Sequence, residues 1–355
     1  MSILCFSSGG ELLDESPRTI SAFAGVRFQS RELEGESQSE TVQQWTLPLF
    51  LAGRIGENLQ FRIYQTAFDA KLEDGPNLRG LENTKIQGSY VLLRNTLVTY
   101  LGLSVPVDSI EPIPETVHLS NILYREVLDF SVNRVTAGLD LDMGFAFAQP
   151  VGRLSLGFGM GYLMRGSYDR LSQEGTLIDY NPGDPLSISV GLNSFSRMSS
   201  WGGRIIYIHY GDDEIDTEDS FENSDAISLR ISAKARPGPI TIRLFLGDTL
   251  KIEDDSLGEG VVISNFFRNR LSGGLALAYP LLAETIILNG QVGGKAFLDD
   301  DGINAKMLSF GGGFRILLTD NLKFDFSARL INGDMDDGRK DVSGYDLGAA
   351  VGYGF

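Results

Sequence analysis

The sequence predicts an all-β protein, a transmembrane antiparallel up-and-down β-barrel of about sixteen strands. Three observations predict this fold class. Segments with apolar residues at every second position recur along the chain, which is the period of a β-strand. No run of about 18 or more apolar residues occurs, and such a run is what a helical membrane span requires. Glycine, which weakens helix interiors, is abundant at 42 of 355 residues.

The alternation is clear between Gly344 and Phe355. One face of this segment carries apolar residues, which are Tyr345, Leu347, Ala349, Val351, Tyr353 and Phe355. The other face is small or polar and consists of Asp346, Gly348, Ala350, Gly352 and Gly354. An apolar face with aromatic residues at both ends suits a barrel wall in lipid, with the small residues facing the lumen.

Sixteen segments follow this alternation. They lie at about 18–29, 43–55, 58–69, 84–94, 96–105, 130–148, 152–168, 185–196, 201–211, 224–236, 239–251, 266–280, 283–297, 304–318, 321–333 and 343–355. Fourteen strands remain possible if 43–69 or 185–211 pairs differently, because the run Ile205, Ile206, Tyr207 and Ile208 fits either face.

The domain division follows from these segments. Residues 1–17 form a leader or periplasmic segment, and residues 18–355 form the barrel. Export requires a signal peptide, and Met1–Phe6 lacks a basic region before its short apolar run, so we expect the native start to differ.

Short turns and long acidic loops alternate along the chain. Tight turns are expected at Arg94–Asn95, Gln149–Pro150, Arg197–Met198, Pro237–Gly238, Pro280–Leu281 and Asp320–Asn321. All short turns then lie at one end of the barrel, together with both termini, and in bacterial barrels that end is periplasmic. A soluble sandwich or propeller has no reason to sort its connections in this way.

The formal charge of −17 excludes some partners. Nucleic-acid binding needs a basic face, so no nucleic acid is expected as a partner. The acidic loops are either a solvated surface or a place where divalent cations bridge to lipopolysaccharide phosphates. The single cysteine, Cys5, allows no disulfide within the chain, and no cofactor or metal site is expected.

The segment 106–129 is the longest connection. Its acidic groups are Asp108, Glu111, Glu115, Glu126 and Asp129, and residues 115–126 could form a short helix. Basic residues occur opposite the apolar face of many strands, since an arginine or lysine facing the lipid midplane costs about 2–4 kcal/mol. These expected lumen residues are Arg62, Arg134, Arg153, Arg230, Lys234, Arg243, Arg270, Lys295, Arg315, Lys323 and Arg329. They either form a solvated interior or a transverse field that orients polar solutes.

Two resemblances extend this interpretation. The final strand resembles the terminal strand of Gram-negative outer-membrane β-barrels, which implies that the barrel-assembly machinery reads Tyr353 and Phe355 as an assembly signal. The strand number, loop order and loop charge resemble the general diffusion porins of sixteen strands, although the Pro-Glu-Phe-Gly-Gly segment typical of enterobacterial constriction loops is missing.

The porin resemblance implies an integral outer-membrane channel for passive diffusion of small polar solutes or ions. It implies that Asp108, Glu111 and Glu115 lie at a constriction that faces a basic wall formed by Arg62, Arg134, Arg230, Lys234, Arg243, Arg270, Lys295, Arg315 and Arg329. The expected partners are outer-membrane lipid, lipopolysaccharide, the barrel-assembly machinery and small solutes, and the protein is a monomer or a trimer.

Three alternatives stay open. A carrier of hydrophobic compounds would resemble the fourteen-stranded fatty-acid transporters, and a third kind of barrel would bind another surface through its acidic loops. The pair His118 and Ser120 resembles the His-x-Ser arrangement of lipid A deacylases, with Glu126 as a possible partner of the histidine. Those enzymes place the pair on a lipid-facing strand, whereas here it lies in a proline-bounded loop, so the protein is expected not to be an enzyme.

Overall fold

The computed structural model describes residues 20–35, 39–93, 96–108, 114–132, 138–171, 177–215, 219–221, 224–252, 268–282, 285–299, 302–336 and 338–355. Within these ranges one α-helix, α1 (Val117–Tyr124), lies between two short 3-10 helical turns, Pro114–Thr116 and Glu126–Leu128. The strands in chain order are β1 (Ile20–Gly35), β2 (Ser39–Ile55), β3 (Leu59–Leu72), β4 (Asn77–Leu81), β5 (Thr84–Leu92), β6 (Leu97–Val105), β7 (Asp140–Val151), β8 (Leu154–Met164), β9 (Tyr168–Leu171), β10 (Leu177–Asn181), β11 (Pro185–Phe195), β12 (Ser199–Tyr210), β13 (Asp213–Ile215), β14 (Asp219–Phe221), β15 (Ala226–Ala235), β16 (Thr241–Lys251), β17 (Asn269–Leu281), β18 (Ile286–Asp299), β19 (Gly302–Leu317), β20 (Leu322–Met335) and β21 (Lys340–Gly354).

The main sheet is a closed antiparallel barrel of sixteen strands. Each wall strand pairs with its neighbours along the chain, and β1 pairs with both β2 and β21, which closes the sheet. The short strand β4 and the strand β5 follow one another along the same neighbour, β3, and therefore occupy one position in the wall. The predicted number of strands is confirmed, and the alternative of fourteen is wrong. A separate small sheet, in the order β14, β13, β10 and β9, is built from the connections after β8 and β12.

One end of the barrel has only short turns. Gly56, Gly152 and Gly238 lie in these turns with φ values of 65°, 64° and 66°, a backbone region that glycine adopts without steric cost. Two turns lie further along the chain than the sequence predicts, because β7 continues through Val151 and β17 continues through Leu281. Proline is tolerated near both strand ends, where few ladder hydrogen bonds remain to be made.

The outer face of the wall is apolar. Cross-strand partners such as Leu51 and Ile63, or Ile231 and Leu246, point to the same side of the sheet, so the register identifies the face of every wall residue. Large apolar side chains are exposed on this outer face, for example Leu49, Val190 and Leu246. Exposure of this kind around a whole barrel is what a lipid environment selects. None of the helical segments described is long and apolar enough to cross a membrane.

The wall is taller on one side. Strands β1–β3 and β18–β21 have 14 to 17 residues, whereas the other wall strands have 9 to 13. The predicted strand at 18–29 is therefore too short, because the backbone ladder continues to Gly35 after the lipid-type alternation has ended. The predicted strand at 130–148 begins only at Asp140. Residues Phe130 and Val132 are apolar because they pack inside the barrel, not against lipid.

Candidate functional site: the lumen and its docked loop

The segment 114–132, which we call the lumen loop, lies against the inner wall of the barrel. It contains the helix predicted over 115–126, observed as α1. Its side chains Leu119, Leu123 and Leu128 are completely buried. They belong to one apolar core with wall residues from the tall side, which are Leu33, Val42, Phe68, Ala70, Leu78, Phe297, Ala305, Met307, Ile331, Met335 and Val342. Each fully buried leucine contributes about 1.5–3 kcal/mol, so apolar packing is the main force that docks the loop.

Wall side chains also satisfy the loop backbone. The Gln44 amide donates to the Val132 carbonyl oxygen at 2.8 Å and accepts from the Val132 N–H at 3.0 Å. The Gln29 amide donates to the Asp129 carbonyl oxygen at 3.0 Å and accepts from the Ser131 N–H. Arg31, which is fully buried, donates from Nε to the Leu128 carbonyl oxygen at 2.8 Å. Side chains of β1 and β2 therefore satisfy the backbone hydrogen bonds at the end of the loop, as the backbone of a neighbouring strand would do in a sheet.

Ion pairs join the loop to β17, β18 and β20. The Asp129 carboxylate lies 2.6 Å from Lys295 Nζ and 2.8 Å from Arg329 Nη2. Glu126 lies 2.6 Å from Arg270 Nη1. Burial alone would raise the pKa of the Asp129 carboxyl, but the charges of Lys295 and Arg329 outweigh it and hold that pKa well below its usual range. These contacts fix the position of the loop along the wall.

A second carboxylate, Asp346 on β21, extends this network. It lies 2.7 Å from Nη2 of Arg27 and 2.7 Å from Nη1 of Arg31, and Arg329 bridges it to Asp129. A charge in a partly dry environment is stable only when it is paired and hydrogen-bonded. The network therefore allows three arginines to lie under the docked loop.

The acidic residues expected at a constriction have different surroundings. The Asp108 carboxylate accepts a hydrogen bond from the Leu81 N–H at 3.1 Å, at the end of β4. Glu115 is exposed on the first 3-10 turn, and Glu111 lies outside the described residues. The loop acids that contact the basic wall are Glu126 and Asp129. Their position beside Val127 and Leu128, the apolar residues that face the wall, is the sequence signal that could have singled them out.

The expected basic residues that lie on described wall strands share the inner face, whereas Arg153 lies in the turn between β7 and β8. The register places Arg62, Arg230, Lys234, Arg243, Arg270, Lys295, Arg315 and Arg329 on that face. Arg134 lies outside the described residues. Arg270, Lys295 and Arg329 contact the lumen loop directly, and Arg315 pairs with Asp325 at 2.7 Å.

The wall across the lumen from the loop is lined by small residues. On β6 to β12 these inner-face residues are Gly102, Gly144, Gly157, Gly159, Gly161, Ser187, Ser189, Gly191 and Gly202. The Tyr100 side chain lies flat over this surface, because a Cβ added at Gly161 would be only 2.5 Å from the Tyr100 hydroxyl oxygen. Among the described residues, no residue on the strands β6 to β16 belongs to the apolar core that the loop forms with the wall. The loop thus occupies one side of the lumen, and the wall on the other side carries mostly small residues, with Ile206 and Ile208 of β12 among them.

Arg204 is a lumen residue that sequence reasoning missed. It lies on β12, where the apolar run Ile205 to Ile208 hides the alternation. The register pairs Arg204 with Arg230 on the inner face, and Arg204 Nη2 donates to the Ser189 hydroxyl at 2.9 Å.

The residues considered for assembly and for catalysis lie elsewhere. Tyr353 and Phe355 are exposed, with their rings edge to face at 4.8 Å, and their part in assembly remains a prediction. His118 Nε2 lies 3.1 Å from Glu40 Oε1 at the long-loop end, whereas Glu126 pairs with Arg270, so Glu126 does not orient this histidine. No group of three or more potential ligand side chains that could hold a metal ion occurs in the part of the chain that the structure describes.

Comparisons place this architecture among known folds. No protein-family model and no curated protein matches the sequence. Among solved structures, Pseudomonas putida OprB is similar, with a TM-score of 0.55, 10% identity, and coverage of 98% of this chain and 96% of that one. The anion-selective porin from Comamonas acidovorans has a TM-score of 0.46 and 11% identity, covering 95% of this chain and 100% of its own. CymD, a monoaromatic hydrocarbon channel, has a TM-score of 0.48 and 11% identity, with coverage of 97% and 90%.

At such identities the OprB similarity establishes the fold. Together with the apolar outer face and the docked loop, it defines this chain as a sixteen-stranded β-barrel of the kind found in outer membranes.

Proposed function

We propose that this protein is a porin-like channel in the outer membrane of a Gram-negative bacterium, through which small polar solutes or ions diffuse passively, and that it is not an enzyme. The observation that supports this most is the division of the lumen. The loop fills one side with a packed apolar core, and the glycine and serine wall of β6 to β12 lines the other. A plugged lumen would need large side chains on both of its sides, whereas small residues on one side leave room for water and solute.

In this proposal the lumen loop forms the constriction. Asp108, Glu111 and Glu115 of the same connection would line its entrance, and the basic wall would face the solute path. Loop carboxylates neutralise Arg270, Lys295 and Arg329. The charge left to act on a solute then comes mainly from Arg62, Arg204 and Arg230, which lie on the inner face of β3, β12 and β15. We therefore expect anions to be preferred inside the lumen.

The surroundings of the barrel complete the proposal. Outer-membrane lipid and lipopolysaccharide would contact the apolar outer face, and the barrel-assembly machinery would recognise Tyr353 and Phe355. The structure gives less support to a carrier of hydrophobic compounds, because the lumen loop itself already covers the apolar side of the lumen.

Single-channel recording in a planar bilayer with a KCl gradient tests the channel. We expect steady conductance and a reversal potential that indicates anion preference. Neutralising Arg230 or Arg243 to glutamine should reduce that preference, whereas Arg236→Gln, outside the wall strands, should leave it unchanged. A folded barrel that conducts no ions would refute the channel and favour a carrier or surface-binding role.

A further inference from the structure

The register brings two arginines side by side on the inner wall. Gly191, Arg204, Arg230 and Gly247 form one row across β11, β12, β15 and β16. Both guanidinium groups are on exposed side chains, and the flanking glycines leave space on either side of the pair. Arg204 lies five residues after the start of β12, and Arg230 lies five residues before the end of β15. Both therefore face the middle of the lumen.

This pair differs in its partners from five other arginines of the lumen. Arg27, Arg31, Arg270, Arg315 and Arg329 each have a carboxylate oxygen within 4 Å. In the described part of the chain neither Arg204 nor Arg230 has one. Like charges directly opposite each other on a sheet destabilise it, so two neighbouring arginines favour an anion between them.

We propose that Arg204 and Arg230 form a binding subsite for a phosphate group, either inorganic phosphate or the phosphate of a small monoester. This rests on the proposed channel function and specifies one class of solute for it. A monocarboxylate has two oxygens and one charge, which a single guanidinium fork satisfies. Two adjacent forks present more donors and two positive charges, and a phosphate dianion matches both.

Ser189 and Tyr100 shape the subsite. The Ser189 hydroxyl accepts a hydrogen bond from Arg204 Nη2 at 2.9 Å and holds the guanidinium close to the wall. Tyr100 lies on the same wall, over Gly144 and Gly161. The small residues of this wall would let a phosphate group reach the pair from the lumen axis.

Block of chloride current by phosphate tests the subsite. Inorganic phosphate and glycerol phosphate are added separately to the wild-type channel in KCl, and the concentration for half block is measured. We expect block at millimolar concentrations, and an increase of about tenfold or more in the half-block concentration for Arg204→Gln and for Arg230→Gln. Block by inorganic phosphate alone would identify free phosphate as the ligand, and block by both would extend the subsite to monoesters.

Arg62→Gln is the matched control. Arg62 is also exposed on the inner face, but its cross-strand neighbours are Ala52 and Gln87. The Arg62→Gln variant removes one positive charge from the lumen without changing Arg204 or Arg230. It should change the half-block concentration of phosphate less than about twofold. An equal effect of Arg62→Gln would overturn the subsite, because it would show that only the total lumen charge matters.

Calorimetric titration of phosphate into the detergent-folded protein separates this inference from the channel function. Conductance without phosphate binding or block would refute the subsite and leave the channel intact. Phosphate binding that Arg204→Gln abolishes, in a barrel without conductance, would support the subsite and refute the channel. Both variants relieve a like-charge contact, so they should fold, and the gel shift of the unboiled barrel checks this.

Discussion

Asp129 shows how one residue fixes the lumen loop to the wall. Its backbone has φ of 55°, in the left-handed region that asparagine and aspartate tolerate best among residues with a side chain. The Asp129→Asn variant keeps this conformation and removes the charge that Lys295 and Arg329 share. Hydrogen bonds to charged groups are worth about 1.5–3 kcal/mol, so we expect a less firmly docked loop and larger fluctuations of the single-channel current.

Asp336 provides a matched control for that variant. It has nearly the same backbone conformation, with φ of 56°, and pairs at 3.4 Å with Arg125 and 3.3 Å with Lys340 at a more exposed position. Exposed pairs contribute about 0–1 kcal/mol, so Asp336→Asn should leave the current noise unchanged. Equal current noise in both variants would show that the Asp129 carboxylate does not fix the loop to the wall.

The lowered pKa of Asp129 gives a prediction for pH. A carboxyl with a lowered pKa in the folded state stabilises the protein above its ordinary pKa, and this contribution is lost only as pH falls through the lowered value. The ordinary pKa of aspartate is about 3.9. Current noise should therefore stay constant from about pH 7 to pH 4, and a rise in noise between about pH 7 and pH 5 would contradict the ion pair as described.

Gly161 tests whether the wall of small residues carries the solute path. A Cβ at this position would lie 2.5 Å from the Tyr100 hydroxyl oxygen and 3.0 Å from the Ser187 hydroxyl oxygen. Tyr100 would have to turn into the lumen in Gly161→Ala, so single-channel conductance should fall. Gly157→Ala adds the same atom on the same strand with no contact closer than 3.7 Å, and its conductance should match the wild type. Unchanged conductance in Gly161→Ala would place the solute path elsewhere.

At the scale of elements, the outer face was predictable from sequence and much of the inner face was not. Alternation along the chain identifies the apolar outer residues because lipid selects them at every second position. The same alternation cannot distinguish an apolar residue that faces lipid from one that faces a docked loop. Alternation therefore predicts that Phe130 and Val132 begin a strand, although they belong to the core of the loop.

The candidate site shows the same limit. The basic residues of the inner face follow from strand parity, except where an apolar run such as Ile205 to Ile208 hides it, and there Arg204 was missed. Which carboxylate meets which base depends on how the loop packs, and that depends on Leu33, Val42 and Phe297, which lie far apart in sequence. The sequence places Glu126 and Asp129 in the loop but does not identify them as the contacts of the loop with the wall.

Leu128 tests the apolar docking of the loop as an element. Its side chain is fully buried in the core between loop and wall. Leucine-to-alanine changes in such cores cost about 2–5 kcal/mol, and here the cost should fall on docking, because the barrel ladder is untouched. We expect trypsin to cleave after Arg125 in Leu128→Ala and not in the wild type.

The control for Leu128→Ala is Leu246→Ala. Leu246 lies on the outer face of β16 and is 62% exposed, so the same truncation removes only a lipid contact. Trypsin should not cleave this variant after Arg125. Cleavage after Arg125 in the wild type would show that the loop is not docked in solution.

At the scale of the whole molecule, the barrel has an inner wall whose two sides differ in polarity. A water-filled lumen needs polar residues, yet the tall side carries Leu33, Phe68 and Phe297 on its inner face. The loop explains this difference because it covers those residues and brings Glu126 and Asp129 to the bases around them. The loop and the tall side therefore form one structural unit that narrows the lumen and neutralises part of its charge.

Replacing residues 114–132 with a glycine-serine segment of equal length tests that unit. The barrel should still form, because its ladder closes between β1 and β21 without the loop. Conductance should rise, since the segment that fills one side is gone, and anion preference should increase, since Arg270, Lys295 and Arg329 lose their loop partners. The uncovered apolar wall should bind a hydrophobic fluorescent dye that the wild type does not. If conductance and selectivity stay at their wild-type values, the loop does not control the lumen, and the constriction must be formed by the wall alone.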